Sequence, residues 1–281
     1  RSTLALRCRR DFALIKDVMN PVSLTSSRLQ RVLLDLAVVD GDHNNTQFAD
    51  KLGELISLSD AIVLAESLRG LKKKPFTAAH SDSDANDVFM QTRAAMLAFI
   101  INSFVLEGEG GSEASTSPFI LPRPNRDTLD DPNAGFVAYQ RFYSLHQSEM
   151  DHQVVTLRRQ LQQIMSGHSH QLAQLATLDS SMADTMADFS RRAFAGIPHL
   201  LAKRFYFLNQ QYRDMSSEKS DLEPVSANSA QTETARWLQK GEWLDRFICE
   251  MQAVLLAELE LRLLPVIGLI EALEFEVEKP Q

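Results

Sequence analysis

The chain has 281 residues with 44% apolar and 23% charged side chains, a composition typical of soluble globular proteins and too apolar for a disordered chain. Its 11 glycines and 10 prolines are few for this length, which disfavours barrels and sandwiches with their many tight turns. Only two cysteines are present, Cys8 and Cys249, which argues against a disulfide framework, and the net charge of −8 repels nucleic-acid phosphates.

The first 24 residues are expected to form a disordered extension outside the fold. They contain basic residues, but neither an uninterrupted apolar core nor a small-residue cleavage pattern, so they do not resemble a secretory signal. Residues 1–18 also lack an initiator methionine, and the helical pattern begins only after Met19. We interpret residues 1–18 as an upstream extension or a mis-assigned start.

Residues 25–106 are predicted to form an N-terminal unit of four helices. Apolar residues recur at helical spacing after polar capping residues, and the expected helices span 26–41, 45–56, 59–70 and 84–105. Ser59 is the expected cap of the third helix, and Asp84 or Asn86 begins the fourth. The longest apolar stretch, residues 96–106, is shorter than the ~20 residues of a membrane span, so it predicts a buried helix.

Residues 107–134 interrupt the helical pattern and are interpreted as a linker between two domains. Glycine and serine cluster in this segment, and four prolines forbid a continuous helix, at positions 118, 122, 124 and 132. Because structureless connections above about 15 residues are uncommon inside compact domains, the segment is either a mobile linker or a functional arm. The apolar run Phe119–Leu121 at its centre is suited to docking on a neighbouring surface.

A sustained helical period over residues 135–274 predicts a C-terminal bundle of long helices, followed by a tail at 275–281. The apolar face of the first long helix consists of Phe136, Tyr139, Tyr143, Met150, Val154, Leu157, Leu161 and Ile164. The remainder of the bundle is divided by a break at Ile197 and Pro198, a tip loop at 216–228 and a kink at Pro265. Trp237 is assigned to the last helix.

No stretch alternates as a strand would, so the predicted fold class is all-α. It combines an N-terminal bundle of short helices with a C-terminal antiparallel bundle of long helices that has coiled-coil character.

The most suggestive chemical pattern is Glu149 and His152, spaced i, i+3 on one helix face as in di-metal carboxylate bundles. Such a centre needs this motif twice, and no second Glu-x-x-His occurs in the sequence. Glu258 and Glu260 are able to supply further carboxylates, but the leucine period around them explains that helix without a metal. No catalytic, cofactor-binding or metal-binding residue is therefore assigned.

The remaining reactive side chains have ordinary interpretations. His168 and His170 lie in a predicted turn between helices, and Cys249 lies on an amphipathic helix, where most cysteines are packing residues. The sequence contains no Gly-x-Ser-x-Gly elbow, no Walker phosphate loop and no glycine motif for dinucleotides. This combination favours a protein without enzymatic activity.

Two features bear on partners. Basic pairs recur at Arg158 and Arg159, Arg191 and Arg192, and Lys203 and Arg204. They are interpreted as solvated faces that pair with Asp151, Asp188 and Glu218, because the nucleic-acid alternative lacks interleaved exposed aromatics. In addition, the consecutive aromatics at 205–207 cannot share one helix face, so apolar surface is left over for a protein partner or for self-association.

Six segments carry a resemblance to a known family: TSSRLQRVLLDLAVVD, FADKLGELISLSDAIVLAESL, FYSLHQSEM, LAQLATLD, GIPHLLAKRFYFL and LLAELELRLLPVIGLIEAL. Together they run from about residue 25 to 274 and resemble an uncharacterised proteobacterial family, the domain of unknown function DUF3348. The resemblance implies no assigned catalytic residues. It also implies genes that neighbour proton-channel proteins of the flagellar-stator and Tol/Exb type, and hence a cytoplasmic accessory role.

The leading hypothesis is a non-enzymatic, cytoplasmic helical protein without cofactor that recognises another protein and is linked to a membrane proton-channel system. Homo-oligomerisation is left open. The alternatives are a helical metalloprotein that uses Glu149 and His152, and a weak nucleic-acid binder that uses the basic pairs.

Overall fold

The computed structural model describes residues 28–35, 58–71, 76, 78, 84–104, 119–124, 132–217 and 234–277. The predicted extension at 1–24, the predicted helix at 45–56 and most of the tip loop lie outside these residues. In the described part of the chain there are seven longer helices and one helical turn at 234–237, and none of these residues lies in a strand.

The seven helices are numbered here in chain order. They are α1 Arg28–Asp35, α2 Leu58–Leu71, α3 Ala85–Ser103, α4 Pro132–His168, α5 His170–Ala195, α6 Ile197–Ser217 and α7 Trp243–Val277.

The N-terminal helices begin close to the predicted capping residues. The Asp84 carboxylate accepts a hydrogen bond from the Asn86 backbone N–H at 2.9 Å, so Asp84 caps α3, which begins at Ala85. Helix α2 begins at Leu58, so the predicted cap Ser59 lies inside its first turn and the prediction for this residue is wrong. Helix α3 ends at Ser103, before the predicted end at Val105.

The long helices are separated by single residues. Ser169 alone divides α4 from α5, and its hydroxyl accepts a hydrogen bond from the Leu172 N–H at 3.2 Å as an N-terminal cap. Gly196 alone divides α5 from α6, and Pro198 is the second residue of α6, where a missing N–H costs no helical hydrogen bond. The predicted break at Ile197 and Pro198 is therefore displaced by one residue.

Helix α7 starts later in the chain than the sequence indicates. Trp237 belongs to the short turn at 234–237, and Gly241 follows with a φ of 87°, a left-handed conformation that stops the turn from continuing as a helix. The Gly241 N–H donates to the Asp245 carboxylate at 2.8 Å. Helix α7 then runs through Pro265 to Val277, past the predicted end of the bundle at 274.

The described residues group into two compact units. The first lies within the ranges Arg1–Gly41, Leu97–Glu149 and Ile197–Leu259, and the second within Asp42–Met96, Met150–Gly196 and Glu260–Gln281. This division differs from the domains predicted at 25–106 and 135–274, and those boundaries stay a prediction.

In the first unit, contacts of Phe136 with Phe247 and of Tyr143 with Glu258 show that α4 and α7 run in the same direction. Helix α6 is antiparallel to α7 there, since Arg204 contacts Glu250 whereas the later Tyr212 contacts Trp243.

In the second unit α5 is antiparallel to α7. Ser169 lies against Glu276, and Phe194 lies against Arg262. Helix α2 packs on α5, and the Ser181 hydroxyl donates to the Ser67 hydroxyl at 2.8 Å. The predicted all-α class with long helices packed against each other is confirmed. None of the helices that the structure describes is both long and apolar enough to span a membrane.

Replacement of Gly241 and of Gly268 by alanine is predicted to change the free energy of unfolding in opposite directions. Neither has an atom within 4 Å of a Cβ built on it, so the backbone conformation alone decides the effect. We expect Gly241→Ala to lower the free energy of unfolding by about 1–2 kcal/mol, because its left-handed φ is strained for alanine. We expect Gly268→Ala, inside α7, to raise it by about 0.5–1 kcal/mol. Urea titration followed by circular dichroism measures both, and equal signs contradict the prediction.

Candidate functional site

Helix α6 exposes a row of side chains that we call the α6 surface. Its members are spaced four residues apart and are Lys203, Phe207, Gln211 and Met215. Phe207 is 58% exposed and Met215 is 55% exposed, whereas the neighbouring Phe205 is fully buried. The predicted leftover apolar surface on this helix is therefore present, and Phe207 is its largest side chain.

An ion pair between the buried Arg204 and the half-buried Glu250 lies next to Phe207. The Arg204 guanidinium donates two hydrogen bonds to Glu250 of α7, at 2.8 and 2.7 Å. Arg246, one turn earlier on α7, donates to the same carboxylate at 2.9 Å. The hydrogen bonds that Arg204 donates to Glu250 raise the pKa of Arg204 above its ordinary value, and the attraction between the two charges acts in the same direction, whereas burial opposes both. The guanidinium carbon lies 5.6 Å from the centre of the Phe207 ring, within cation–π range.

A buried carboxylate joins α4 and α7 in the first unit. Glu258 is fully buried, and it accepts hydrogen bonds from the Tyr143 hydroxyl at 2.7 Å and from the Gln147 amide at 3.0 and 3.1 Å. Because burying a carboxylate costs free energy unless it is hydrogen-bonded, these two donors hold Glu258 in place. The sequence predicted Tyr143 as a core residue, and it did not predict the pairing with Glu258.

His146 lies at the centre of an aromatic cluster. Its ring is fully buried among Phe99 and Phe104 from the α3 side and Phe142 of α4, at centroid distances of 5.0, 6.3 and 4.3 Å. Nδ1 lies 2.8 Å from the Phe142 carbonyl oxygen, and Nε2 lies 2.7 Å from the Ser103 hydroxyl. Removal from water lowers the pKa of His146, although the hydrogen bond to Phe142 acts in the other direction.

The burial of His146 was not predicted, although the spacing of apolar residues in the sequence indicates it. The predicted apolar face of α4 contains Tyr143 and Met150, which lie three residues before and four residues after His146. That spacing places His146 on the same buried face.

A short segment of the predicted linker docks on this cluster. The Phe119 ring lies 4.9 Å from Phe99 and 5.3 Å from His146, both in edge-to-face geometry, and Leu121 is only 2% exposed. The expectation that the Phe119–Leu121 run is suited to docking is confirmed for this segment. Apart from residues 119–124 and the first residues of α4, the linker lies outside the described residues.

Several polar atoms in the first unit are buried without a hydrogen-bond partner among the described residues. They are Tyr139 Oη, Asn209 Oδ1, Trp237 Nε1, Trp243 Nε1 and Asp245 Oδ1. The two indoles contact each other at 5.3 Å, and burial raises the pKa of Tyr139 far above its ordinary value of 10.0. The Tyr139 phenol is therefore a neutral group that contributes through its ring.

The residues of the metal hypothesis do not form a metal-binding group. Glu149 is half-buried and His152 is exposed, while Glu258 bonds to Tyr143 and Gln147. Within the described ranges, no group of three or more His, Cys, Asp and Glu side chains is placed to hold a metal ion.

The three other candidates from the sequence, two histidines and one cysteine, lie on the long helices. His170 is exposed in the first turn of α5, where its Nε2 lies 3.0 Å from the Gln174 amide. His168 is exposed at the end of α4. Cys249 lies half-buried on α7.

The basic pairs find partners that the sequence predicted only in part. Arg191 pairs with Asp188 on the surface, as expected. Arg158 instead binds Asp179 across the antiparallel pair α4 and α5, with Nε donating at 2.7 Å. The predicted acceptor Asp151 binds Arg262, because both lie in the second unit on α4 and α7, and Glu218 lies outside the described residues.

Two tyrosines one turn apart on α4 test the value of the Glu258 pairing. Tyr143→Phe removes a donor from a buried carboxylate, so we expect a loss of about 1–3 kcal/mol in the free energy of unfolding. Tyr139→Phe is the matched control, since its hydroxyl has no partner in the described structure, and we expect no loss or a small gain. Denaturant unfolding of both variants decides the matter, and an equal loss in both contradicts a special role for Tyr143.

Burial of His146 predicts acid sensitivity. Its folded pKa lies below the ordinary 6.5, so beneath 6.5 the unfolded chain binds a proton that the folded protein excludes. The free energy of unfolding therefore falls as the pH is lowered below 6.5, by at most about 1.4 kcal/mol per pH unit. The difference between wild type and His146→Gln, measured from about pH 7 to pH 5, isolates this group from other histidines. A difference that does not change with pH refutes the prediction.

Comparison with known proteins gives one match. The family model described as protein of unknown function DUF3348 covers residues 17–275. No curated protein and no solved structure matches the chain. The chain belongs to the DUF3348 family of proteins of unknown function.

Proposed function

We propose that the protein is a non-enzymatic helical interaction protein and that the α6 surface binds a protein partner. The observation that carries the proposal is the position of Phe207, which is 58% exposed on α6. Arg204, one turn earlier on the same helix, is buried and bonded to Glu250 of α7. An aromatic side chain on an ordered helix has only two rotatable bonds, so it loses little conformational freedom when a partner covers it.

The composition of the α6 surface supports a protein partner rather than nucleic acid. Phe207 and Met215 provide apolar contact area, and aromatic residues and methionine are enriched at protein interfaces. Lys203 is exposed there, whereas Arg204 is buried and shares the Glu250 carboxylate with Arg246 of α7. A single exposed lysine on this surface provides little attraction for a phosphate backbone.

The proposed location is the cytoplasm, and the proposed process is one linked to a membrane proton-channel system. This part of the proposal rests on what the resemblance of the sequence implies and on its two-cysteine composition, which suits a reducing compartment. The proposed partner is then a protein of that system, and a second copy of the chain is the alternative. No observation in the described residues favours the metalloprotein alternative.

The proposal is tested by placing a photo-cross-linking amino acid at position 207 in the source cells. We expect one discrete adduct, which mass spectrometry identifies, because Phe207 is the centre of the proposed contact. Position 275 is the matched control, since Phe275 is also an exposed phenylalanine but lies at the end of α7. We expect no adduct of the same mass from position 275.

A second measurement uses the unlabelled protein. Phe207→Ala is expected to weaken the recovery of the partner that cross-linking has identified at least about tenfold in a pull-down, the loss typical of an interface hot spot, while Phe275→Ala leaves this recovery unchanged. An adduct with twice the mass of the chain would show that the partner is a second copy of the chain rather than a different protein. Equal adducts at both positions, or none at either, would contradict the proposal for α6.

A further inference from the structure

The hydroxyl of Ser103, the last residue of α3, lies between two groups that both accept hydrogen bonds. Its oxygen lies 2.7 Å from His146 Nε2 and 2.8 Å from the Ile100 carbonyl oxygen. In a continuing helix the Phe104 N–H would bond to Ile100, but this N–H donates to the Ile101 carbonyl at 3.4 Å. Because a hydroxyl carries a single proton, Ser103 cannot donate to His146 and to Ile100 at the same time.

The backbone of α4 determines which nitrogen of His146 carries the proton when the imidazole is neutral. Nδ1 lies 2.8 Å from the Phe142 carbonyl oxygen, a group that only accepts hydrogen bonds, so Nδ1 carries a proton. The neutral ring then has no proton on Nε2. Two unprotonated acceptors at 2.7 Å would repel each other, so the contact of Nε2 with Ser103 requires the hydroxyl proton. While His146 is neutral, the hydroxyl therefore donates to Nε2 and not to Ile100.

A proton on Nε2 reverses the direction of the bond between His146 and Ser103. The imidazolium has an N–H at both nitrogens, so Nε2 then donates to the Ser103 oxygen. The hydroxyl proton is released and donates to the Ile100 carbonyl at 2.8 Å. The contacts of His146 with Phe142, of His146 with Ser103 and of Ser103 with Ile100 are all hydrogen bonds only when the imidazole is charged.

We propose that Ser103 is a proton-operated switch, whose hydroxyl donates to His146 when the imidazole is neutral and to the Ile100 carbonyl when the imidazole is charged. The charge of His146 thereby determines whether the last turn of α3 has this side-chain hydrogen bond. All groups of the switch belong to the first unit. The switch does not involve the α6 surface, so it is independent of the proposed function.

The described surroundings of His146 are mainly aromatic. The rings in contact with it are Phe99, Phe104, Phe119 and Phe142, none of which titrates. Phe99 at 5.0 Å and Phe142 at 4.3 Å lie within the range of about 6 Å in which an aromatic ring attracts a cation. Burial nevertheless lowers the pKa of His146, so we expect the switch to operate at a pH below 6.5.

The charged groups of the elements around His146 have positions of their own. Helix α3 has no charged residue between 94 and 103. On α4, Glu149 lies one turn after His146 and is half-buried, and Arg123 of segment 119–124 is exposed. Glu258 of α7 accepts hydrogen bonds from two neighbours of His146 on α4, Tyr143 and Gln147. None of these charged groups is among the two hydrogen-bond partners of the imidazole.

The sequence allows a direct measurement, because residues 100 and 101 form its only Ile-Ile pair. With isoleucine isotope-labelled in the carbonyl carbon and the amide nitrogen, an NMR spectrum that correlates each amide with the preceding carbonyl contains one peak. That peak reports the Ile100 carbonyl in the full chain. We expect its carbonyl frequency to change with the same midpoint as the His146 imidazole between about pH 8 and about pH 5.

Three variants separate the hydroxyl from the charge. Ser103→Ala is expected to abolish the titration of the Ile100 carbonyl. It is also expected to lower the pKa of His146 further, because the charged ring loses a stronger hydrogen bond than the neutral ring does. Ser103→Thr keeps a hydroxyl and is expected to restore both properties. His146→Gln is the control in which the Ile100 carbonyl has no titration to follow.

Three results would overturn the inference. One is an Ile100 carbonyl that titrates with His146 in Ser103→Ala as well, which would show a direct effect of the charge. The second is a neutral imidazole with its proton on Nε2 instead of Nδ1, which nitrogen NMR of labelled histidine measures at about pH 8, where His146 is uncharged. The third is unfolding of the wild type before His146 becomes charged, since the folded network then does not accept the proton.

Discussion

The burial of α7 on nearly every side is the constraint on which the first unit depends. Between residues 254 and 259 five side chains are buried, Val254, Leu255, Ala257, Glu258 and Leu259, and successive helix positions point in directions about 100° apart. A helix buried in all these directions needs neighbours around its circumference, and α4 and α6 supply two of them. The side of α7 that α4 covers and the side that α6 covers then determine which residues of these helices contact each other.

Buried polar pairs then select one register among the apolar alternatives. Leucine-rich faces slide past each other at modest cost, whereas Glu258 has its hydrogen bonds only when Tyr143 and Gln147 lie opposite it. Arg204 and Glu250 impose the same condition on α6 and α7. Such pairs add little net stability compared with apolar replacements, but a mismatched register leaves a buried charge uncompensated. We infer that they determine alignment while the apolar faces provide the driving force.

Helical periodicity was sufficient to predict the class and most long helices, because burial of a stripe leaves a direct trace in the sequence. It failed where a single residue decides the structure. Ser169 separates two helices by itself, and the left-handed Gly241 ends the turn that contains Trp237, so that α7 begins only at Trp243 although the apolar Trp237 fits a helix equally well. The partners of Arg158 and Asp151 depend on which helices become neighbours, and no local pattern encodes that information.

Phe207 and Phe119 show why exposure alone does not identify a binding site. Phe207 lies on a helix whose backbone is already ordered, so its exposure is a fixed feature that a partner covers at small entropic cost. Phe119 lies in a segment without regular structure and is half-buried because it has found an aromatic surface within its own chain. The ring of Phe207 is therefore available for a contact with another molecule, whereas the ring of Phe119 already takes part in a contact within its own chain.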